Sequence, residues 1–137
     1  MSKLLEFGIH PNEGYIMSCG ASRAEGASAT YKVLQTHPEI TAVIAYQDIV
    51  AFGVMRAVKD IGKSVGGDIA VVGFDDVPDA ADTSPSLTTI SVSAPQIGRA
   101  AGELLLAKMA GDRSEIKSLI FPPKLIIRQS CGSPALP

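Results

Sequence analysis

Residues 42–76 read AVIAYQDIVAFGVMRAVKDIGKSVGGDIAVVGFDD, and this stretch decides the fold. The apolar run at 42–46 predicts a strand. Its continuity suits a strand buried on both faces, as in a parallel sheet. Ala51, Val54, Met55, Val58 and Ile61 then recur at helical spacing, so 49–61 predicts a helix stopping at Gly62. The run at 69–74 predicts a second strand. A parallel pair joined by a helix crosses over right-handed, which fixes the local topology. Each strand ends in polar residues: Gln47 and Asp48 after the first, Asp75 and Asp76 after the second. Ligands of open α/β sheets bind in the crevice at the carboxyl ends of the strands. Both polar clusters therefore fall on one rim, where a small molecule would sit.

The flanking sequence extends an α/β pattern. A short helix at 4–7 ends at Gly8, and 15–19 predicts a short strand. Ser22 with Glu25 three residues on fits a capping box. It opens a helix at 23–35 with Ala24, Ala27, Tyr31 and Leu34 at helical spacing. Asp48 suits the cap of the 49–61 helix. Residues 78–85 predict a loop, and 87–90 a strand. Pro95 fits the first turn of a helix over 95–109, where proline is tolerated. Short strands follow at 119–121 and 125–127, parted by Pro122 and Pro123. The tail at 131–137 is expected to fray. The fold class is α/β: a Rossmann-like parallel sheet with flanking helices.

At 137 residues the chain suits one domain. Hydrophobic residues make up 46% and the net charge is −2, a composition without the basic footprint of a nucleic-acid-binding domain. If the protein acts on DNA, this segment does not touch it. No apolar run approaches membrane-spanning length, so no membrane partner is expected. Cys19 and Cys131 lie far apart and read as idle thiols in a reduced compartment. His10 and His37 are isolated, and no cluster suggests a metal.

Catalysis finds little support. There is no GxSxG elbow, P-loop or GxGxxG, so neither enzyme activity nor a cofactor is expected. The Asp75–Asp76 pair has the look of a phosphoacceptor site, but that needs a third aspartate ending a later strand, which Asp79, Asp82 and Asp112 do not supply. Asp75 is the strongest ligand candidate: it ends a buried strand and offers two acceptor oxygens. Gln47 can both donate and accept. Tyr46 and Phe74 can stack on a ligand, although core packing is the simpler account of each.

These residues resemble the C-terminal part of the effector-binding domain of LacI/GalR-family transcriptional regulators. The blocks match in order: TAVIA at 41–45, Gln47 and Asp48, then Ala51, Phe52, Gly53, Arg56 and Ala57. The glycine turn and strand at 62–72 follow, then GFDDVP at 73–78 and PSLTTI at 85–90. Gly98, Ala100, Ala101, Leu104 and Leu105 match the next helix, and PPKLIIRQS at 122–130 closes the series. The resemblance spans residues 22–130.

It implies a type I periplasmic-binding-protein-like domain, whose two subdomains close on a small effector, often a sugar or nucleobase. It implies a cytoplasmic regulator that is a homodimer or higher oligomer and reaches DNA only through a region outside this chain. The alternative with the same architecture is a periplasmic-type sugar receptor. By carry-over, Asp75 and Gln47 match effector contacts, and Phe74, Tyr46 and Ser22 complete the expected ligand set. Ala21 stands where several relatives carry a stacking aromatic, and Val92 where some carry a polar contact. The expected dimer surface is the helix from Ile49 with the loop 79–83, including Phe52, Met55, Asp79 and Thr83. Residues 1–130 would be the C-terminal portion of the domain, with about 94–121 belonging to an otherwise absent first subdomain. An unfilled sheet position and an uncovered apolar helix face are expected to drive association or element swapping.

Overall fold

The computed structural model describes residues 2–10, 12–115 and 118–133. Helix α1 (Ser2–Glu6) is followed by a single 3-10 turn at Glu13–Tyr15. Then come α2 (Arg23–Thr36), β1 (Ala42–Ile44), α3 (Asp48–Asp60) and β2 (Ala70–Val72). The one-turn α4 (Asp79–Asp82), β3 (Thr89–Ser91), α5 (Ala94–Met109) and β4 (Lys124–Ile126) complete the order. Strands β1 and β2 pair in parallel with Val43 opposite Val71. Strands β3 and β4 pair antiparallel with Ile90 opposite Leu125. A single parallel bridge, Val72 to Thr88, joins the two ladders.

The core lies where α2 and α3 pack on each other and on one side of the β1–β2 pleat. It gathers Val33 and Leu34 from α2, then Val50, Ala51, Val54, Met55 and Val58 from α3, with Ile69, Val71 and Leu87. Two glycines let the helix backbones approach. A Cβ on Gly26 of α2 would meet the Val50 carbonyl oxygen at 2.5 Å, and one on Gly53 of α3 would overlap the Arg23 carbonyl. That crossing sets the inward face of α2. Ala27 and Leu34 are buried as the spacing predicts, but Gly26, Thr30 and Val33 complete the face while Ala24 and Tyr31 stay exposed. In α3, Ala51, Val54, Met55 and Val58 are buried, whereas Ile61 is not.

Several expectations are corrected. Strand β1 is not buried on both faces: Val43 packs on the core, but Ile44 is 82% exposed. The reason is that both packed helices lie on one side of the pleat. No strand forms at 15–19. A strand needs a hydrogen-bonded neighbour, and a groove of about 370 Å³ separates this segment from β1. Residues 119–121 form no strand either, because β3 is three residues long and pairs only with 124–126. The loop at 78–85 contains helix α4, whose own Ala80 is buried. Of the tail expected to fray, residues 131–133 form a turn closed by Gly132 N–H to Gln129 O at 3.1 Å; residues 134–137 lie outside the described residues. Helix α5 buries no residue, and Leu105, Leu106 and Met109 are exposed along it.

The glycine crossing gives a direct prediction. Gly53→Ala is expected to destabilise the chain by about 1–3 kcal/mol through overpacking. Urea unfolding should show a lower midpoint with an unchanged slope.

Candidate ligand-binding site

Asp48 organises the rim. Sequence reasoning made it a helix cap, but it is the first residue of α3 and its side chain is fully buried. Gln47 holds the cap position without a side-chain capping bond. The Asp48 Oδ1 accepts the Thr89 hydroxyl at 2.5 Å and Oδ2 accepts the Val77 N–H at 2.9 Å. Its own N–H donates to the Phe74 carbonyl at 2.8 Å. One carboxylate thus ties the start of α3 to the turn after β2 and to β3. The positive end of the α3 dipole favours a carboxylate there. Gly73 passes so close that any Cβ would overlap Oδ1.

The turn that follows is strained. Asp75 has φ +111° and Asp76 φ +55°. Positive φ is uncommon for non-glycine residues, and such conformations persist where surrounding contacts over-determine them. Asp75 N–H donates to Ile90 O at 2.9 Å. The Asp76 carboxylate accepts from Arg128 at 2.8 Å, and the same guanidinium donates to Leu87 O at 2.8 Å. Asp75 itself is half-buried at the end of β2. Burial, followed by the charge of Asp48 behind it, pushes its pKa up, and no hydrogen bond holds it down. Among the described residues, its carboxylate has no hydrogen-bond donor.

Gln47 stands at the end of β1, and its Oε1 is buried with no partner among the described residues. Tyr46 is exposed, and its hydroxyl reaches Cys19 O only at 3.5 Å. Phe74 is half-buried, with its carbonyl held by Asp48. Ser22 caps α2: its Oγ accepts the Glu25 N–H at 3.2 Å and donates to the Glu25 carboxylate at 2.6 Å. That hydroxyl is already committed. The five residues are not gathered into one enclosed cavity. Tyr46 lines the 370 Å³ groove beside β1, and the other four do not.

The dimer candidates are brought together more closely. Phe52, Met55 and Thr83 line a groove of about 710 Å³ between α2, α3 and α4, with Tyr31, Arg56 and Lys59. Phe52 and Met55 also belong to the core. Arg23 lies over the Phe52 ring at 4.8 Å and pairs with Asp79 at 2.8 Å. Asp79 therefore fixes the rim of this groove.

Sequence reasoning missed the supports. Thr89 holds Asp48. Ser130, fully buried, donates to Val71 O at 2.6 Å and accepts the Thr88 N–H at 2.8 Å. Arg128 clamps Asp76. Each is far in sequence from what it holds, and a lone threonine, serine or arginine gives no local signal.

Residues 5–131 match the periplasmic binding protein-like domain family. The chain is 39% identical over 95 residues to the HTH-type transcriptional regulator MalR of Streptomyces coelicolor, covering 69% of this chain and 28% of that protein. It is 35% identical over 127 residues to the HTH-type transcriptional regulator GalS of Salmonella typhimurium, covering 93% and 37%. Among solved structures, a LacI-type transcription regulator from Bifidobacterium animalis superposes with a TM-score of 0.89 at 29% identity, over 95% of this chain and 47% of that one. A complex of the transcriptional regulator CelR with cellobiose gives 0.87 at 27% identity, over 94% and 39%. The chain spans less than two-fifths of these curated relatives, 28% of one and 37% of the other.

Asp75 carries a pH prediction. Its folded pKa lies above the unfolded value of about 3.9. The neutral form therefore contributes stability that is fully present below about pH 3.9 and lost as pH rises through the folded pKa. Asp75→Asn, which also tolerates positive φ, should raise the melting temperature at pH 7. The advantage should vanish below about pH 4, as calorimetric scans across that range would read.

Proposed function

This chain belongs to the periplasmic binding protein-like domain family, in the form found in LacI/GalR-type regulators, and we propose that it is the effector-sensing and dimerising part of a cytoplasmic transcriptional regulator. The observation that carries the reading is the Asp75 carboxylate. It stands beyond the carboxyl end of β2, half-buried and without a donor among the described residues, on a strained turn that costs stability. Strain and lost solvation at one half-buried acceptor are tolerated where a ligand supplies the missing donors.

The ligand class that fits is a small polyhydroxylated molecule, a sugar. Its hydroxyls donate to Asp75, the buried Gln47 Oε1 takes a further hydroxyl, and Phe74 and Tyr46 offer ring faces to its apolar side. Ser22 supports the site through its helix cap. Solved relatives are complexed with cellobiose, lactose and ribose, which supports this class. The regulator reading is favoured over a transport receptor because the curated relatives are regulators. No catalytic residue is assigned.

Residues 94–121, with the exposed α5, belong with a first subdomain that closes the other side of the cleft. A second copy meets this one along the 710 Å³ groove through Phe52, Met55, Asp79 and Thr83. DNA is reached through other parts of the regulator. Effector binding then shifts the closure equilibrium, with a coupling free energy of about 1–3 kcal/mol.

Calorimetric titration with cellobiose, lactose and ribose tests the reading. At least one sugar should bind, and Asp75→Asn should weaken it by about tenfold or more, the worth of a hydrogen bond to a charged acceptor. Absence of binding by all three, or binding untouched by Asp75→Asn, would overturn the assignment.

A further inference from the structure

We propose that Arg128 is a positioning residue for Asp75: by clamping Asp76 it locks the left-handed turn and ties the ligand rim to the β3–β4 ladder. Two consecutive non-glycine residues at φ +111° and +55° do not hold themselves. On one side Asp48 fixes Phe74 and Val77, the residues that bracket the turn. On the other side Arg128 supplies the remaining constraint. Its guanidinium is forked, one nitrogen donating to Asp76 Oδ1 at 2.8 Å and the other to Leu87 O at 2.8 Å. Its backbone N–H donates to Thr88 Oγ1 at 2.8 Å.

The pair is not a loose surface contact. The Arg128 and Asp76 side chains are only 19% and 24% exposed. A planar fork held at two acceptors fixes direction as well as distance. Asp76 is thereby pinned, and Asp75, one residue earlier, is bonded through its N–H to Ile90 O. Arg128 lies two residues beyond β4, and β3 leads within two residues to α5. The clamp thus links Asp75 mechanically to the segment that carries α5. A displacement of that ladder moves the acceptor, and a ligand on Asp75 favours one setting of the ladder.

The inference takes its functional meaning from Asp75 as a ligand contact, but its test reads Asp75 without ligand. Failure of one is therefore separable from failure of the other. Replacing both partners, Asp76→Asn with Arg128→Met, removes the pair with no net change in charge. NMR should then show φ-sensitive couplings at Asp75 moving off their wild-type values and its amide exchanging at least tenfold faster. The Asp75 carboxyl titration should fall toward the ordinary carboxylate range as it leaves the burial and the Asp48 charge that raise it. Arg128→Lys, which keeps the cation but loses the fork, should give couplings between those of the wild type and the double variant. Should the double variant fail to fold, Asp76→Gly serves, since glycine accepts φ +55° without strain; loss of the clamp should still loosen Asp75. Unchanged couplings, exchange and titration at Asp75 in the folded double variant, or unchanged couplings and exchange in Asp76→Gly, would overturn the proposal.

Discussion

A buried carboxylate is costly unless every oxygen is met by a donor, and Asp48 is the place where this chain accepts that constraint. Both oxygens are satisfied, by the Thr89 hydroxyl and the Val77 N–H, and its N–H closes on Phe74 O. The partners come from the turn after β2 and from β3, so three separately coded segments are held at one point. Much of the rim follows. Gly73 must be glycine to pass the carboxylate, and the Asp48 charge reaches Asp75, two residues on, and raises its pKa.

The two sides of the molecule divide the work by chemistry. At the carboxyl ends of the strands stand polar groups without partners among the described residues, the Asp75 carboxylate and the Gln47 Oε1. Along α2 and α3 both arginines are paired, Arg23 with Asp79 and Arg56 with Asp60, and Lys59 donates to the Ser84 carbonyl. Tyr31 also donates to Asp60 at 2.7 Å. A surface with its arginines paired and apolar side chains lining a groove suits a protein neighbour. A rim with unmatched acceptors suits a small polar ligand. Such exposed pairs contribute little stability by themselves, so their value on the groove lies in pre-arranging Phe52 and its neighbours.

Much of this was legible because it is local. The α3 stripe Ala51, Val54, Met55 and Val58 falls on the buried face, the Ser22–Glu25 cap forms, and β1 and β2 pair in parallel. Illegible parts depend on what is far away or not there. The apolar run at 42–46 reads as buried on both faces, yet Ile44 is exposed because nothing packs beyond it. Residues 15–19 have strand composition but no hydrogen-bonded neighbour. Asp48 carries the sequence signature of a cap, and only the fold brings Thr89, 41 residues later, to its oxygen. Arg128 and Ser130 sit 40 residues or more from what they hold. Of the candidate site, the places of Asp75 and Gln47 after the strands were legible, while the positive φ of Asp75 and Asp76 and the Arg128–Asp76 pair were not.

The central claim is that one buried carboxylate holds the rim. Asp48→Asn keeps the shape of the side chain and removes the charge and one acceptor. Equilibrium urea unfolding, read with amide exchange at Val77, tests it. The account predicts a loss of roughly 1.5–3 kcal/mol, the worth of hydrogen bonds to a charged group, with faster exchange at Val77. A change within about 0.5 kcal/mol, as at an ordinary surface position, with Val77 still protected, would contradict it.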